Sequence, residues 1–121
     1  MTRSTYATGH FLERWTAFLL FFKGYHLIAR NFTVGRGTGA GEIDLILKKG
    51  NTLVFAEVKK RPTKTQARYA IDGQNQTRIV RASAVFLARH PFYQKCAIRY
   101  DAIVYGDSLW PTHIKNAWQV L

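Results

Sequence analysis

The stretch that decides the fold runs from Glu42 to Lys60 and reads EIDLILKKGNTLVFAEVKK. Two apolar segments, Glu42–Lys48 and Thr52–Lys60, flank a short Lys49–Asn51 segment that contains a glycine. Apolar runs of this length, rich in β-branched and large residues and joined by a glycine-containing turn, are typical of a β-hairpin. The sequence therefore predicts two antiparallel strands here.

Each of these strands carries a carboxylate inside its apolar run, Asp44 in the first and Glu57 in the second. Burial of an unpaired carboxylate is costly, so a divalent cation or a lysine must compensate it. Residues two apart share a face of a strand, so Glu57 points the same way as Lys59, and Glu42 the same way as Asp44. An aligned hairpin lets Asp44 and Glu57 face one site. A metal site and a salt-bridged pair both remain open on spacing alone.

The other elements follow from periodicity and turn residues. In chain order they are a helix over residues 9–23, a β-compatible segment over Tyr25–Val34, a glycine-rich loop over Gly35–Gly41, a helical pattern over Ala67–Ala88 and a strand over Cys96–Tyr105. The final segment, Thr112–Leu121, fits a short helix or an extended piece. The order αβββαβ predicts an α/β fold, with a mixed sheet flanked by helices.

The first helix contains the longest apolar run, Trp15–Phe22, which reads WTAFLLFF. This run is far shorter than the roughly 20 residues that a membrane-spanning helix requires. Its apolar positions recur at spacings of three and four and predict a buried helix face; they are Phe11, Leu12, Trp15, Phe18, Leu19 and Phe22. An amphipathic helix lying on a membrane surface is the alternative.

Length and charge narrow the classes of function. The 121 residues predict a single domain over 1–121, with its core at about residues 9–105 and a C-terminal extension over 106–121. The 18 Lys and Arg against 7 Asp and Glu give a net charge of +11, which favours a polyanionic partner. One cysteine, Cys96, excludes an internal disulfide and fits a reducing compartment. The sequence lacks an export-signal pattern, so we expect a cytoplasmic location.

The chemistry of the acidic residues favours a hard cation. Carboxylates and backbone carbonyls suit Mg²⁺ or Mn²⁺ rather than zinc. The histidines are scattered along the chain and form no zinc-ligand pattern; they are His10, His26, His90 and His113. A carboxylate–metal site in a basic protein is what hydrolysis of a phosphodiester needs. Asp101, on the last predicted strand, is expected to form a salt bridge with a nearby arginine, with a site role as the lesser alternative.

The residues quoted so far resemble a known family. Gly41–Ile46 and Leu53–Arg61 are similar to the GEIDLI…LVFVEVKxR signature of the YraN family of small bacterial proteins. That family resembles the PD-(D/E)XK nuclease superfamily, and archaeal Holliday-junction resolvases in particular. Further matching segments are Gly9–Glu13, Gly24–Asn31, Gln76–Ile79 and Arg99–Asp101, so the resemblance spans about residues 9–105.

The resemblance implies a restriction-endonuclease-like αβββαβ core and Mg²⁺- or Mn²⁺-dependent cleavage of DNA. Asp44, Glu57 and the Val58 carbonyl would hold the metal, and Glu13 would support it. Lys59 would orient the attacking water or stabilise charge in the transition state, and Gln76 would orient the nucleophile or contact phosphate. One departure stands beside Gln76, where Asn75 replaces the lysine usual in the family.

Basic residues cluster after the second hairpin strand and in the second helix, and we expect them to contact phosphates. They are Lys60, Arg61, Lys64, Arg68, Arg78 and Arg81. The predicted function is a structure-selective endonuclease acting on branched, flapped or single-stranded DNA in repair or recombination. No membrane partner is expected, and a homodimer is possible by analogy with junction resolvases.

Two alternatives remain open. The first is a non-catalytic nucleic-acid-binding protein that keeps the nuclease fold, which Asn75 favours. The second is an enzyme acting on a small anionic substrate, or a glycosidase using Glu13 and Glu57 as an acid/base pair. Lys59 and the net charge of +11 fit this second alternative poorly.

Overall fold

The described part of the chain forms a five-stranded sheet with two α-helices. The computed structural model describes residues 2–35, 40–61 and 73–118. The elements in these ranges are α1 (Thr2–Phe21), β1 (His26–Phe32), β2 (Ile43–Lys49), β3 (Thr52–Lys60), α2 (Gly73–Arg89), a 3-10 turn (Pro91–Lys95), β4 (Ala97–Tyr105) and β5 (Thr112–Trp118). The predicted αβββαβ order is confirmed, and the segment left open at the C-terminal end forms a fifth strand.

The sheet is mixed, with the strand order β1-β2-β3-β4-β5. β1 pairs with β2, β2 with β3, and β4 with β5, all antiparallel. β3 and β4 are parallel, with Thr52 opposite Ala97 at one end and Lys60 opposite Tyr105 at the other. A parallel pair requires a crossover, and α2 lies in it.

The core lies on both faces of the central strands. On one face, α2 packs Ile79, Ala82 and Phe86 against the sheet. On the other face, α1 contributes Leu12 and Leu20. Because β2 and β3 are covered on both sides, they read as almost continuous apolar runs rather than as alternating ones. Against that background, the buried Asp44 and Glu57 stand out.

A left-handed glycine ends α1 and directs the chain into the sheet. Gly24 has a φ of +93°, a conformation that side chains with a Cβ rarely adopt. The Tyr25 amide donates to the Leu20 carbonyl at 2.9 Å, and the Gly24 amide donates to the Phe21 carbonyl at 3.1 Å. These bonds satisfy carbonyls at the helix end. The buried Tyr25 ring then begins the approach to β1.

The prediction of a single buried face on α1 is wrong for its aromatic residues. Leu12 and Leu20 are buried, whereas Phe11, Phe18 and Phe22 are exposed. The helix carries two apolar stripes with the same spacing, and only one of them can face the sheet. Spacing alone does not distinguish the two stripes. Neither helix in the described part of the chain has the length and apolarity to cross a membrane.

Candidate metal centre

Four of the seven carboxylates of the chain gather at one place. Glu13 comes from α1, Glu42 directly precedes β2, Asp44 lies on β2 and Glu57 on β3. Glu13, Glu42 and Asp44 each offer a carboxylate oxygen, and these three atoms lie within 4.8 Å of one another. Like charges at this separation repel strongly. Protons or a bound cation must therefore reduce the repulsion between these carboxylates.

The β2–β3 hairpin positions the other half of the cluster. Leu45 pairs with Ala56, so the register places Asp44 beside Glu57 on the neighbouring strand. The backbone amide of Val58 donates to Asp44 Oδ2 at 2.8 Å, which fixes the orientation of that carboxylate. Lys59 Nζ lies 3.1 Å from Glu57 Oε1. The hairpin thus sets an acid–lysine pair directly beside Asp44.

Burial and mutual repulsion raise the pKa values of the carboxyl groups. Burial raises the pKa of Glu57 to about 8, and the Asp44 carboxylate adds to the effect while Lys59 opposes it. Burial likewise raises the pKa of Glu13 to about 7, again with a contribution from Asp44. The pKa of Glu42 is also raised, first by burial and then by Asp44. At neutral pH the cluster retains protons that a divalent cation would displace.

Two further side chains approach the cluster, and neither was predicted from the sequence. His10 Nδ1 lies 3.7 Å from Glu13 Oε1, and its charge lowers the pKa of Glu42. A hydrogen bond from the Asn31 side chain holds the pKa of Glu13 down against the effect of burial. Asn31 adopts a left-handed φ of 53° within β1. A non-glycine residue in this conformation often marks a functional constraint.

Glu42 also belongs with the cluster, although sequence analysis did not include it among the site residues. The signal was present, because strand alternation had already placed Glu42 on the same face as Asp44. The separation of Glu13, Glu42 and Asp44 shows that a helix residue completes this face. No local pattern could reveal that meeting, since Glu13 and Glu42 are far apart in the chain.

The donor set fits a hard divalent cation. Glu13 Oε1 is buried and accepts no hydrogen bond from the described residues. An orphaned buried acceptor is costly unless something else satisfies it. The atoms offered are carboxylate oxygens, which Mg²⁺ and Mn²⁺ prefer. The residues of the cluster therefore match the chemistry of the cation expected from the sequence.

The remaining predicted residues differ in how exposed they are. Gln76 and its neighbour Asn75 are half-buried in the first turn of α2. The Gly41 amide donates to the Arg78 carbonyl at 3.0 Å, which ties α2 to the segment leading into β2. A Cβ on Gly41 would lie 3.0 Å from that of Arg78, so this approach favours glycine.

The predicted phosphate contacts divide into three groups. Lys60 is exposed and Arg61 half-buried at the end of β3, next to Lys59. Arg78 and Arg81 are exposed on α2. Lys64 and Arg68 lie outside the described residues.

Asp101 has a structural environment of its own. Its carboxylate is fully buried and accepts two hydrogen bonds from Arg99, each 2.8 Å long. His113 Nε2 lies 2.7 Å from the same carboxylate, and the Asn116 amide donates to it at 3.0 Å. Burial opposes ionisation, yet these partners together lower the pKa of Asp101. The expected salt bridge to an arginine is confirmed.

Comparison with known proteins assigns the chain to a family. The model of a family described as uncharacterised protein family UPF0102 matches residues 12–105. The chain belongs to the UPF0102 family. The resemblance to the YraN family, which is the same family, is therefore confirmed.

Relatives in this family match nearly the whole chain. The UPF0102 protein amb4503 of Paramagnetospirillum magneticum is 39% identical over 112 residues, which cover 93% of this chain and 87% of that protein. A UPF0102 protein of Methylobacterium nodulans is 37% identical over 118 residues, covering 98% and 88%. A UPF0102 protein of Methylorubrum extorquens is 38% identical over 118 residues, covering 98% and 89%. None of these names states a reaction.

Proposed function

We propose that this UPF0102 protein is a metal-dependent endonuclease that hydrolyses phosphodiester bonds of DNA. The observation that carries the proposal is the collection of four carboxylates and Lys59 in one cluster, in a chain of net charge +11. A basic protein that gathers four of its seven acids at one point combines attraction for a polyanion with a site for a cation. A location in the cytoplasm, where DNA is accessible in bacteria, belongs to the same proposal.

The roles of the side chains follow from their positions. Asp44, Glu13 and Glu57 would hold Mg²⁺ or Mn²⁺, with the Val58 carbonyl as a further ligand. The bound cation would supply Lewis-acid activation of the phosphoryl group and of water. The Val58 amide keeps the Asp44 carboxylate oriented at 2.8 Å. Lys59, held 3.1 Å from Glu57, is placed to stabilise negative charge that develops on the phosphate oxygens.

The surrounding basic residues support a phosphate-binding surface. Lys60 directly follows Lys59 on β3, and Arg78 and Arg81 are exposed on α2. Contacts of this kind give affinity without base recognition and weaken as salt increases. We therefore propose selection by DNA shape, with branched, flapped or single-stranded DNA as substrate. Gln76, in the first turn of α2, would contact phosphate or the nucleophile.

The test is cleavage of a labelled DNA panel containing single strand, duplex, flap and four-way junction. Mg²⁺ or Mn²⁺ should support cleavage, and EDTA should abolish it. Asp44→Asn and Lys59→Ala should each lower the rate by at least about 100-fold, as expected for loss of a group that stabilises the transition state. The matched controls are Asp107→Asn and Lys115→Ala, at exposed positions outside the cluster.

A measurement without DNA separates metal binding from catalysis. Mn²⁺ should raise the thermal unfolding temperature of the wild type and of Asp107→Asn, but not that of Asp44→Asn, because binding to the folded state stabilises it. Cleavage that survives in both site variants would refute the site. Salt-sensitive DNA binding that persists in EDTA, with no cleavage under either metal, would favour the non-catalytic DNA-binding alternative. Asn75→Lys, which restores the lysine usual in the family, would then be the next variant.

A further inference from the structure

One surface of the protein exposes an unusual amount of aromatic side chain. Its members come from α1, the residue after it and the loop between β4 and β5, and ring contacts of 5.0–6.5 Å link them in one series. We call it the aromatic surface, and it consists of Phe11, Trp15, Phe18, Phe21, Phe22 and Trp110. The Trp15 indole also donates to the Leu109 carbonyl at 2.8 Å, which ties the loop to the helix.

The exposed area of this surface approaches that of a dimer interface. Phe11 and Phe18 are about half exposed, and Phe22 and Trp110 are each 71% exposed. Large aromatic side chains carry roughly 150–250 Å² each, so these rings leave about 500–700 Å² of apolar surface in water. The largest apolar patch on a typical monomer measures about 300–600 Å². A standard interface buries about 800 Å² per partner, and this surface supplies most of that area.

The spacing of the rings suits another helix as the partner. Phe11, Trp15, Phe18 and Phe22 follow one another at intervals of four, three and four residues. This is the stripe by which two helices pack side by side. The buried stripe, which contains Leu12, faces the sheet, and Trp15 packs partly against the same core. Phe11, Phe18 and Phe22 face away from it.

The low charge of the surface favours a second copy over DNA or a lipid surface. Residues 15–22 contain no charged side chain, and only the exposed Arg14 and Lys23 flank this segment, although the chain as a whole carries +11. Single-stranded DNA binds where aromatic rings are interleaved with cations that contact phosphate. A helix that lies on anionic lipid carries many Lys and Arg on its polar face. Interfaces between identical subunits are instead rich in aromatic residues and poor in charge.

A recess beside the aromatic surface adds shape complementarity. Leu19, Leu20 and Trp110 contribute to its lining together with Lys23, and the volume of the recess is about 130 Å³. A two-fold interface pairs one patch with itself, so a protruding ring on one copy needs a depression on the same patch of the other. The exposed Phe22 ring and the recess both lie at the C-terminal end of α1.

We propose that the aromatic surface binds the same surface of a second copy of this chain, α1 against α1, in a two-fold dimer. Phe22 is the best position for a test, because its ring contacts are with Phe18 and Phe21 of the same surface. Phe22→Asp should dissociate the dimer without loss of core packing. The matched control is Phe92→Asp, since Phe92 is 65% exposed on the 3-10 turn.

Sedimentation velocity across a concentration series is the primary measurement. The wild type and Phe92→Asp should sediment at twice the 13.9 kDa chain mass, and Phe22→Asp at the mass of one chain. Trp110→Asp tests the loop half of the surface and should also give a monomer. Circular dichroism checks that each variant is folded. A monomeric wild type at the highest soluble concentration, open-ended assemblies, or a Phe22→Asp protein that stays dimeric would overturn the proposal.

Tryptophan fluorescence locates the interface independently of mass. Trp15 and Trp110 lie in the aromatic surface, whereas Trp118 is buried in the core and gives a constant background. Dilution of the wild type should shift the emission to longer wavelength as the two surface indoles enter water. The emission of Phe22→Asp should not depend on concentration. A monomer whose emission responds only to lipid vesicles or to single-stranded DNA would assign the surface to that ligand instead and refute the dimer.

Discussion

Replacing Asp101 with asparagine should destabilise the protein by about 3 kcal/mol, because it breaks a buried ion pair. The Asp101 side chain is fully buried, and four donor groups surround its two oxygens at 2.7–3.0 Å. Asparagine keeps the shape but has one acceptor oxygen, so its amide nitrogen would face a donor from Arg99 or His113. The positive charge of the Arg99 guanidinium would also remain partly buried without its partner carboxylate.

The expected loss of stability depends on how exposed the Arg99 side chain is. Removing one member of a buried ion pair costs about 3–5 kcal/mol. The Arg99 side chain is 24% exposed and can regain some hydration, which places the expected loss near the lower end. Small domains have a total stability of about 5–15 kcal/mol, so this loss is a substantial fraction.

Urea unfolding followed by circular dichroism measures the effect. With a slope of about 1–3 kcal/mol per molar urea, the midpoint should fall by roughly 1–3 M. Asp107→Asn, in the exposed segment after β4, should stay within about 0.5 kcal/mol of the wild type. The pKa of Asp101 lies below its ordinary value in the folded protein. The stability that the ionised carboxylate contributes is therefore present above the pKa of the unfolded chain, and it is lost as the pH falls through the pKa of the folded protein. The gap between wild type and variant should therefore narrow in acid.

A small effect would refute this account of the ionic cluster. If Asp101→Asn lost less than about 1 kcal/mol, the four hydrogen bonds would do no more than offset the desolvation of the carboxylate. A gap that widened in acid would contradict the assigned direction of the pKa shift. A double variant with Arg99→Met should lose less than the sum of the two single losses, because each single change already breaks the shared interaction.

Two further predictions concern protons and hydroxyls. In EDTA the protein should lose stability as the pH rises from about 5 to about 9, with a slope of up to about 1.4 kcal/mol per pH unit for each proton released. The pKa values of Glu13 and Glu57 are about 7 and 8 in the folded protein, against an ordinary value of 4.5. The stability that their protonation contributes is fully present below pH 4.5, and it is lost as the pH rises through the two folded-state pKa values. Urea midpoints across this range check the slope, and a flat profile in EDTA would contradict the raised pKa values. Thr16→Val should cost about 1–3 kcal/mol by leaving the buried Tyr105 hydroxyl, now 2.6 Å from Thr16 Oγ1, without that partner. Thermal unfolding of Thr16→Ser, which keeps the hydroxyl, is the control, and equal losses in both variants would assign the effect to packing.

Local sequence was sufficient for most of the strands and for half of the acidic cluster. Alternation in the hairpin predicted that Asp44 and Glu57 would face one site, because the side-chain period of a strand is a fixed property of its backbone. The bounds of β3, Thr52–Lys60, agree with the prediction. The bounds of the first helix did not follow in the same way, since α1 begins at Thr2, where no cap residue or apolar spacing indicated a start.

The family resemblance had already assigned Glu13 to the site, whereas only the tertiary structure brought Glu42 and Asn31 to it. Glu13 and Glu42 meet because α1 packs across the sheet near the beginning of β2, and Asn31 approaches from β1 with a left-handed backbone. Such meetings depend on the packing of separate elements, and no local periodicity encodes them.

The burial of the apolar residues of α1 likewise depends on both the local sequence and the tertiary structure. The sequence by itself determined that apolar residues recur along the helix at spacings of three and four, from which a single buried face was predicted. Which stripe enters the core was decided by the sheet, which has room for Leu12 and Leu20 but leaves Phe18 and Phe22 in water. Because the sheet covers only one side of the helix, the tertiary structure determines which apolar residues are buried.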